Sequence, residues 1–279
     1  MPLLRNQMGQ VRLLWRLAGF AVLFGLLVSP LLLLDSALLQ FAIGAILLTI
    51  LLSLWGRRIE HRKLADYGLS ADTSMAGELC IGAALAGGAV AIIFLLTHGL
   101  GFAGSAEYDP AALLTAGFWL FLVKALLVGY WEEVLFRGYL FVNIRDSAAT
   151  SFGPRQGKMI AVLITSLLFG LAHAGTSSFS WSALAILSFN GVVFCVPMLV
   201  TGRLGLSIGM HAAWNFSQSK VFGFAMSGNP SAGSVLRAEM TGPDLWTGGN
   251  YGPEAGLAGI MGLLVLLIAV YGVAVRRLA

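Results

Sequence analysis

Apolar stretches of about twenty residues, separated by short polar segments, run through almost the whole of this 279-residue chain. A stretch of roughly 17–25 apolar residues is long enough to cross a bilayer as a helix. The pattern predicts about eight such spans, near residues 14–34, 36–55, 75–97, 111–135, 159–176, 182–201, 204–223 and 255–275. The apolar-polar alternation of strands does not occur, and lipid cannot satisfy an open sheet edge. We therefore predict an all-α, polytopic membrane protein, with residues 1–279 forming a single transmembrane domain.

Composition agrees with this class. The chain is 58% hydrophobic and 11% charged, with a mean hydropathy of +0.85, whereas soluble domains have about 45–50% apolar and about 25% charged residues. Cys80 and Cys195 both lie in apolar stretches, where a free cysteine behaves as a small hydrophobe. The sequence therefore contains neither a disulfide framework nor a zinc ribbon.

The net charge of +4 is unevenly distributed along the chain. With a cytoplasmic N-terminus, the cytoplasmic segments are 1–13, 56–74, 136–158, 202–203 and the tail from Arg276. These segments hold Arg5, Arg12, Arg57, Arg58, Arg62, Lys63, Arg137, Arg145, Arg155, Lys158, Arg203, Arg276 and Arg277. The outer segments hold only Lys220 and Arg237. The positive-inside rule thus predicts that both termini are cytoplasmic, and the basic excess is explained by topology rather than by binding of nucleic acid.

Ionisable residues nevertheless occur inside three of the apolar stretches. Glu132, Glu133 and Arg137 lie in LLVGYWEEVLFRGYL, His173 ends SLLFGLAH, and His211 opens HAAWNF. A charge at the bilayer centre costs about 2.5–3.5 kcal/mol on insertion scales. A structural ion pair that holds helices together explains Glu133 and Arg137, but it does not explain Glu132 or the two histidines. Their presence predicts a functional site.

Helical spacing assigns different environments to the two glutamates. Glu133 and Arg137 are four residues apart and can form an ion pair, whereas Glu132 lies about 140° round the helix from Arg137. We expect Glu132 to be free to titrate. His211 and Asn215 also share one helix face, from which both can donate hydrogen bonds to an oxygen that gains negative charge.

Two further positions are open to interpretation. Phe169 lies four residues before His173, and we interpret its ring as core packing. Lys124 lies two helical turns before Glu132, where it can snorkel to the interface, pair with a neighbouring helix or tune the site.

The sequences EEVLFR (132–137), FGLAH (169–173) and HAAWN (211–215) match the motifs E-E-x-x-x-R, F-x-x-x-H and H-x-x-x-N. In these motifs the chain resembles the CPBP family of intramembrane proteases, which includes type II CAAX prenyl proteases and bacteriocin-processing enzymes. The resemblance covers about residues 110–222, the expected catalytic core. Residues 227–254 are expected to form an external loop rich in Gly, Ser and Pro.

The resemblance implies hydrolysis of a peptide bond near the cytoplasmic side of the membrane, in CAAX-type C-terminal or membrane-associated peptides. Glu132 is then the general base, acting on water together with His173, and Arg137 holds Glu133 as a supporting carboxylate. His211 and Asn215 stabilise the oxyanion. The predicted site residues are Glu132, Glu133, Arg137, His173, His211 and Asn215.

The resemblance leaves the cofactor open, because family members are commonly called metalloproteases. Glu132, His173 and His211 would satisfy the three-ligand rule for catalytic zinc, but the chain has no H-E-x-x-H motif. If Glu132 bound zinc, the remaining carboxylate would be Glu133, a poor base because Arg137 holds it. We therefore favour a metal-free glutamate mechanism without a required cofactor.

The expected partners are a peptide or membrane-anchored protein substrate and the lipid bilayer. The expected location is an integral, multi-pass position in a membrane, the inner (plasma) membrane if the chain is bacterial.

Two functions of other classes compete with proteolysis. Intramembrane Glu and His residues also line the pathways of ion- or proton-coupled transporters, but these often have interrupted helices in two corresponding halves. A non-proteolytic membrane scaffold or immunity protein is the other alternative. Such a scaffold should tolerate Glu132→Gln, whereas a protease should not.

Overall fold

The computed structural model describes Leu4 and residues 11–104, 106–176 and 178–276, and it is predominantly α-helical. The basic residues Arg5 and Arg277 of the topology prediction lie outside these described residues. The helices are α1 Leu13–Val28, α2 Ala37–Trp55, α3 Ser74–Gly99, α4 Ala116–Glu133, α5 Phe141–Phe152, α6 Pro154–Ala172, α7 Trp181–Thr201, α8 Gly205–Phe216, α9 Asp244–Thr247 and α10 Leu257–Arg276.

Six helices in the described part of the chain are long and apolar enough to cross a membrane: α1, α2, α3, α6, α7 and α10. This confirms the prediction of an all-α, polytopic membrane protein. Helix α4 carries three charged residues, Lys124, Glu132 and Glu133, and α8 has only 12 residues. Helix α4 is therefore a poor match to an average span because of its charges, and α8 because of its length. The total of eight spans stays a prediction.

Three of the helices, α2, α4 and α8, continue past their α-helical ends in wider, π-helical turns, and α2 does so through Gly56–Glu60. Helix α4 runs through Val134–Leu140 directly into α5, and α8 continues through Ser217–Val221. After α5 the chain reverses at Gly153, whose φ of 88° is readily adopted by glycine, and α6 begins at Pro154. The segment 136–158, predicted from its charges as a cytoplasmic connection, is therefore the tip of a helical hairpin.

Helix α8 lies at the centre of the packing. Every residue from Gly205 to Ala212 is buried, as expected for a helix with neighbours on all sides. Glycines permit close contact with α3, because a Cβ atom on Gly82 would lie 2.3 Å from the Leu206 carbonyl oxygen, and one on Gly209 would lie 2.1 Å from that of Leu79. On its other side α8 packs against α4.

Ion pairs gather the predicted cytoplasmic segments at one end of the molecule. Arg203, in the turn between α7 and α8, binds Asp72 through both terminal nitrogens at 2.8 and 2.7 Å, and Glu78 through Nε at 2.6 Å. Arg62, in the connector after α2, binds Asp146 of α5 at 2.5 Å. These contacts fix the 56–74 connector against the α5 and α7–α8 regions.

The predicted outer segments meet at the other end. Strand β1 (Glu107–Tyr108) pairs antiparallel with β2 (Leu236–Arg237), a short ladder that the sequence did not indicate. The remainder of the 227–254 segment contains α9 and a turn of 3₁₀ helix, Gly249–Tyr251. The segment is thus a folded cap rather than a patternless loop, while its assignment to the outer side stays a prediction.

Candidate active site

The close approach of α4 to α8 brings the glutamates to His211. A Cβ atom on Gly129 would lie 3.1 Å from the Ala212 backbone nitrogen and 3.3 Å from the His211 Cβ. Gly129 precedes Glu133 by one helical turn, so that both residues face α8. The missing side chain at this position allows the carboxylate to reach the imidazole.

Glu133 is fully buried and binds two partners through one oxygen. Its Oε1 accepts hydrogen bonds from Arg137 Nη1 at 2.8 Å and from His211 Nδ1 at 2.7 Å. The predicted ion pair between Glu133 and Arg137 is therefore present. The bond to His211 is an additional contact, which spacing along a single helix does not predict. Because a carboxylate accepts this bond, the His211 proton lies on Nδ1 and the Nε2 atom faces the open part of the site.

Glu132 has a different environment from its neighbour. Its side chain is 24% exposed, whereas that of Glu133 is fully buried. The buried Oε2 atom of Glu132 has no hydrogen-bond partner in the structure and lies 3.8 Å from His211 Nε2. Such a carboxylate can accept a proton from a small molecule placed between it and the histidines.

His173 lies at the C-terminal end of α6, at the same level as Glu133. Both residues are twenty positions from Gly153, where the α5–α6 hairpin turns. The His173 Nδ1 atom is 2.9 Å from the carbonyl oxygen of Phe169. Since a carbonyl oxygen only accepts, this contact places a proton on Nδ1 and leaves Nε2 of a neutral ring as an acceptor.

Phe169 does more than fill the core. Its ring centroid lies 4.9 Å from that of His173 and 6.0 Å from that of His211, and the Arg137 guanidinium carbon is 4.3 Å from it. The ring is 3% exposed, so our core-packing interpretation holds, but it also separates the two imidazoles and stacks on the arginine. Arg137 is further held by the Gly191 carbonyl oxygen at 3.4 Å.

Asn215 follows His211 by one turn, at the end of α8. Its side chain is partly exposed and makes no hydrogen bond with another described residue. The carboxamide is therefore available to a ligand. The structure thus brings Glu132, Glu133, Arg137 and His211 into one cluster, with His173 reaching it through Phe169.

The cap contributes buried polar groups that the sequence analysis missed. Tyr251 is 2% exposed, and its Oη atom lies 3.3 Å from Thr176 Oγ1, which donates to the His173 carbonyl oxygen at 2.7 Å. Glu254 is also buried and accepts hydrogen bonds from the Ser227 backbone nitrogen and hydroxyl. Burial raises the pKa of the Glu254 carboxyl above its usual range, and the bonds from Ser227 oppose this shift. The sequence signal that could have identified these two residues is the presence of a Tyr and a Glu in GNYGPEAG, just before an apolar span.

A cavity of about 350 Å³ lies beside Tyr251. It is lined by residues of the α6–α7 connection and of the cap, among them Ser178, Ser180, Asp244 and Asn250. None of the six predicted site residues lines it. Tyr251 lines this cavity and also contacts Thr176, which donates to the His173 carbonyl oxygen.

In the described part of the chain, no three His, Cys, Asp or Glu side chains are grouped to hold a metal ion. Glu132 and His211 face each other, but His173 does not join them as a third ligand. The metal-free mechanism stays a prediction.

Residues 114–217 match the model of a family described as Rce1-like, type II CAAX prenyl endopeptidase. This segment supports membership of the CPBP family. It contains all six predicted site residues and runs from the start of α4 through α8. Neither a search of curated proteins nor a search of solved structures found a match. Membership of this family supports a membrane-embedded peptide hydrolase of the CAAX protease type, acting on a membrane-associated peptide or protein.

Proposed function

We propose that the protein hydrolyses a peptide bond of a membrane-associated substrate, with Glu132 as general base and without a metal. The observation that carries the proposal is the division between the two glutamates. Glu133 Oε1 accepts hydrogen bonds from both Arg137 and His211 in a fully buried setting, whereas Glu132 is 24% exposed, accepts no hydrogen bond from another described residue and faces His211 Nε2. The Oε2 atom of each carboxylate is buried without a partner. One carboxylate thus orients the site, and the other can accept a proton.

In this mechanism a water molecule bound beside Glu132 loses a proton to its carboxylate as it attacks the scissile carbonyl carbon. The protonated Glu132 then gives this proton to the amide nitrogen, which leaves as the amine when the C–N bond breaks. His173 contributes the free Nε2 atom of its ring, which accepts a hydrogen bond from the same water. Proton transfer by one positioned group typically accelerates a reaction 10²–10⁴-fold. The Phe169 carbonyl keeps the His173 ring in the required tautomer.

The carbonyl oxygen that becomes negative is stabilised by His211 and Asn215. To donate from Nε2, the His211 ring must carry both protons, and the neighbouring Glu132 and Glu133 attract that positive charge. The partly exposed Asn215 carboxamide supplies a second donor, one helical turn away. Donors held in place before the reaction are the usual means of stabilising a tetrahedral intermediate.

A peptide-cleavage assay on purified protein tests this proposal, with wild type and Glu132→Gln compared in the presence and absence of a chelator. We expect Glu132→Gln to fold normally and to lose activity by roughly 10²–10⁴-fold, because an amide cannot accept the proton of water. Chelator should leave the wild-type rate unchanged. Near-normal turnover by folded Glu132→Gln would refute the assigned base and favour a non-proteolytic scaffold, and chelator-sensitive activity would refute the metal-free mechanism.

A further inference from the structure

Helix α7 contains a buried polar side chain, Asn190, that has no role in the mechanism proposed above. The helix is long and apolar enough to cross a membrane, and Asn190 lies near its middle and is only 6% exposed. Its Oδ1 atom is buried and accepts no hydrogen bond from another described residue. A polar group without a partner is costly inside a protein, and polar groups at membrane depth are usually functional. The Asn190 carboxamide is therefore a candidate for binding a ligand.

Asn190 lies on the face of α7 that runs from the cap to His211. Leu187, three residues before it, belongs to the same buried cluster as Tyr251 of the cap. The ring of Phe194, four residues after it, lies 5.4 Å from the ring of His211. Residues three and four apart share one face of a helix. Asn190 is therefore placed between the cap and His211, on the side of α7 that faces the proposed site.

The contact between α7 and α8 places Asn190 at the level of Asn215. The two helices are joined by a short turn and run in opposite directions, and Ser207 Oγ of α8 donates to the Phe194 carbonyl oxygen of α7 at 2.9 Å. From the contact between Phe194 and His211, Asn190 is one turn nearer the cap along α7 and Asn215 is one turn nearer the cap along α8, about 6 Å in each case. Neither carboxamide forms a hydrogen bond with another described residue.

The backbone of a peptide has the chemistry that this side chain can bind. An extended peptide offers N–H groups, and the oxygen of a carboxamide accepts hydrogen bonds from them, whereas a hydrocarbon chain offers no donor. In the proposed mechanism the scissile carbonyl oxygen lies against His211 and Asn215. Two extended residues span about 6.6–7.2 Å, which matches the rise of about 6 Å from the level of His211 to that of Asn190. A backbone N–H about two residues from the scissile bond can therefore reach Asn190 Oδ1.

We propose that Asn190 is a substrate-binding residue, whose Oδ1 atom accepts a hydrogen bond from a backbone N–H of the substrate about two residues from the scissile bond. The inference rests on the proposed function and extends it from the reacting groups to the peptide on which they act. A contact with the backbone selects an extended peptide conformation rather than a particular side chain. Asn190 takes no part in proton transfer.

The test combines a substitution in the protein with changes of single groups in the substrate. The parent substrate is a dye-labelled, S-prenylated peptide that ends in Cys-Ala-Ala-Leu, and in each ester peptide an oxygen replaces one backbone N–H other than that of the scissile bond. With wild type, an ester about two residues from the scissile bond should lower kcat/KM roughly three- to thirtyfold, because one hydrogen bond is lost. Asn190→Leu should cleave this ester and the parent equally well, because the acceptor is gone.

Thermal unfolding distinguishes substrate binding from a structural role. Asn190→Leu removes a buried group without a partner and should melt at least as high as wild type. Asn143 is the matched control, because it is also buried but donates to the Tyr139 carbonyl oxygen at 3.1 Å and accepts from Arg62 Nη1 at 3.4 Å. Asn143→Leu should melt lower and keep the ester effect.

Three results would overturn the proposal. They are an ester effect that persists in Asn190→Leu, the absence of any ester effect in wild type, and a loss of melting temperature in Asn190→Leu as large as that in Asn143→Leu. If Asn190→Leu does not fold, Asn190→Ala provides the same comparison of ester and parent peptides.

Binding of the same peptides to Glu132→Gln separates this inference from the proposed chemistry. Glu132→Gln should bind the parent more tightly than one ester of the series, and Glu132→Gln combined with Asn190→Leu should bind these two peptides equally. That result supports the backbone contact even if wild type cleaves no peptide and proteolysis is refuted. If Glu132→Gln binds the parent and every ester equally, or binds none of them, the contact is refuted whatever the wild-type activity.

Discussion

At the scale of single residues, the site depends on one buried carboxylate that serves two helices. Glu133 joins Arg137, four residues further along its own chain segment, to His211 of α8. The first contact could be predicted from the sequence, because helical spacing determines it. The second could not, because it depends on how closely α4 and α8 pack at Gly129. Phe169 was likewise predicted as core, but its contacts with three site residues became visible only in three dimensions.

Arg137→Ala should destabilise the protein more than Glu132→Gln does. The change removes a buried ion pair, the bond to Gly191 and the stacking on Phe169, and loss of one partner of a buried pair costs roughly 3–5 kcal/mol. The measurement is thermal unfolding in detergent. Glu133→Gln combined with Arg137→Gln should recover part of the loss, since no charge is left unpaired. If Arg137→Ala expresses and melts like wild type, the pair does not have this structural role.

At the scale of helices, the hydropathy pattern predicted where most of the long helices lie, but it did not predict where they end. Helix α4 does not stop at the edge of its apolar stretch: the backbone continues through Val134–Leu140 into α5. The charged residues from 136 onwards predicted an exposed cytoplasmic connection. The first of them, Arg137, is instead fully buried in a helical turn. The wide turns directly follow Glu133 in α4 and the end of α8 beyond Asn215. Such π-helical turns are frequent at functional sites, and no simple residue pattern predicts them.

The α3–α8 contact offers a matched pair of glycines for measuring helix packing. In Gly82→Ala the new Cβ would lie 2.3 Å from the Leu206 carbonyl oxygen, whereas Gly88 of the same helix has nothing within 4 Å of this position. Both changes gain about 1 kcal/mol of helix propensity, but only Gly82→Ala forces α8 away, at a cost of about 1–3 kcal/mol. Gly82→Ala should therefore melt lower than Gly88→Ala. Equal melting temperatures would contradict this close packing.

The ion pairs that hold the connector predict a pH dependence. Hydrogen bonds from Arg203 and then from Ser74 hold the pKa of the Asp72 carboxyl well below its usual range. Because the folded-state pKa is depressed, the stabilisation is complete above the unfolded value of about 4 and is lost as the pH falls below it.

Acidification from about pH 5 to pH 3 should therefore lower the melting temperature of wild type more than that of Asp72→Asn. Asp35→Asn provides the control, since Asp35 is exposed and makes no ion pair with another described residue. It should melt in parallel with wild type over this range. Parallel curves for wild type and Asp72→Asn would show that the Arg203 contacts contribute nothing to stability.

At the scale of the whole molecule, the charge pattern of the sequence predicted which connecting segments lie together at each end. The basic segments 56–74, 136–158 and 202–203 meet through Arg62 and Arg203, and the segments around β1 and β2 meet at the opposite end. Loop lengths and charges suffice for this division, because short connections cannot cross the bilayer. They did not predict the folded cap. Tyr251 and Glu254 are ordered by contacts with Thr176 and Ser227, which are distant in sequence.

Two predictions, the orientation of the protein in the membrane and the entry of water and substrate from the cytoplasmic side, are tested by single cysteines in a Cys80→Ala, Cys195→Ala background. The site lies about 12 Å from the α7–α8 turn, counted from Arg203 to His211 at helical rise. A cavity open to the cytoplasm would therefore supply water without exposing the carboxylates to lipid.

Glu132→Cys and His173→Cys should accordingly react with a membrane-impermeant thiol reagent from the cytoplasmic side only. His211→Cys should react more slowly from that side, because the native side chain is 6% exposed. Thr150→Cys on α5 and Leu245→Cys on the cap, both at exposed positions, calibrate the cytoplasmic and outer faces. If the calibrating positions react from the reversed sides, the topology is inverted. If they react as expected but the site cysteines react only from outside, the topology stands and substrates enter from the side of the cap.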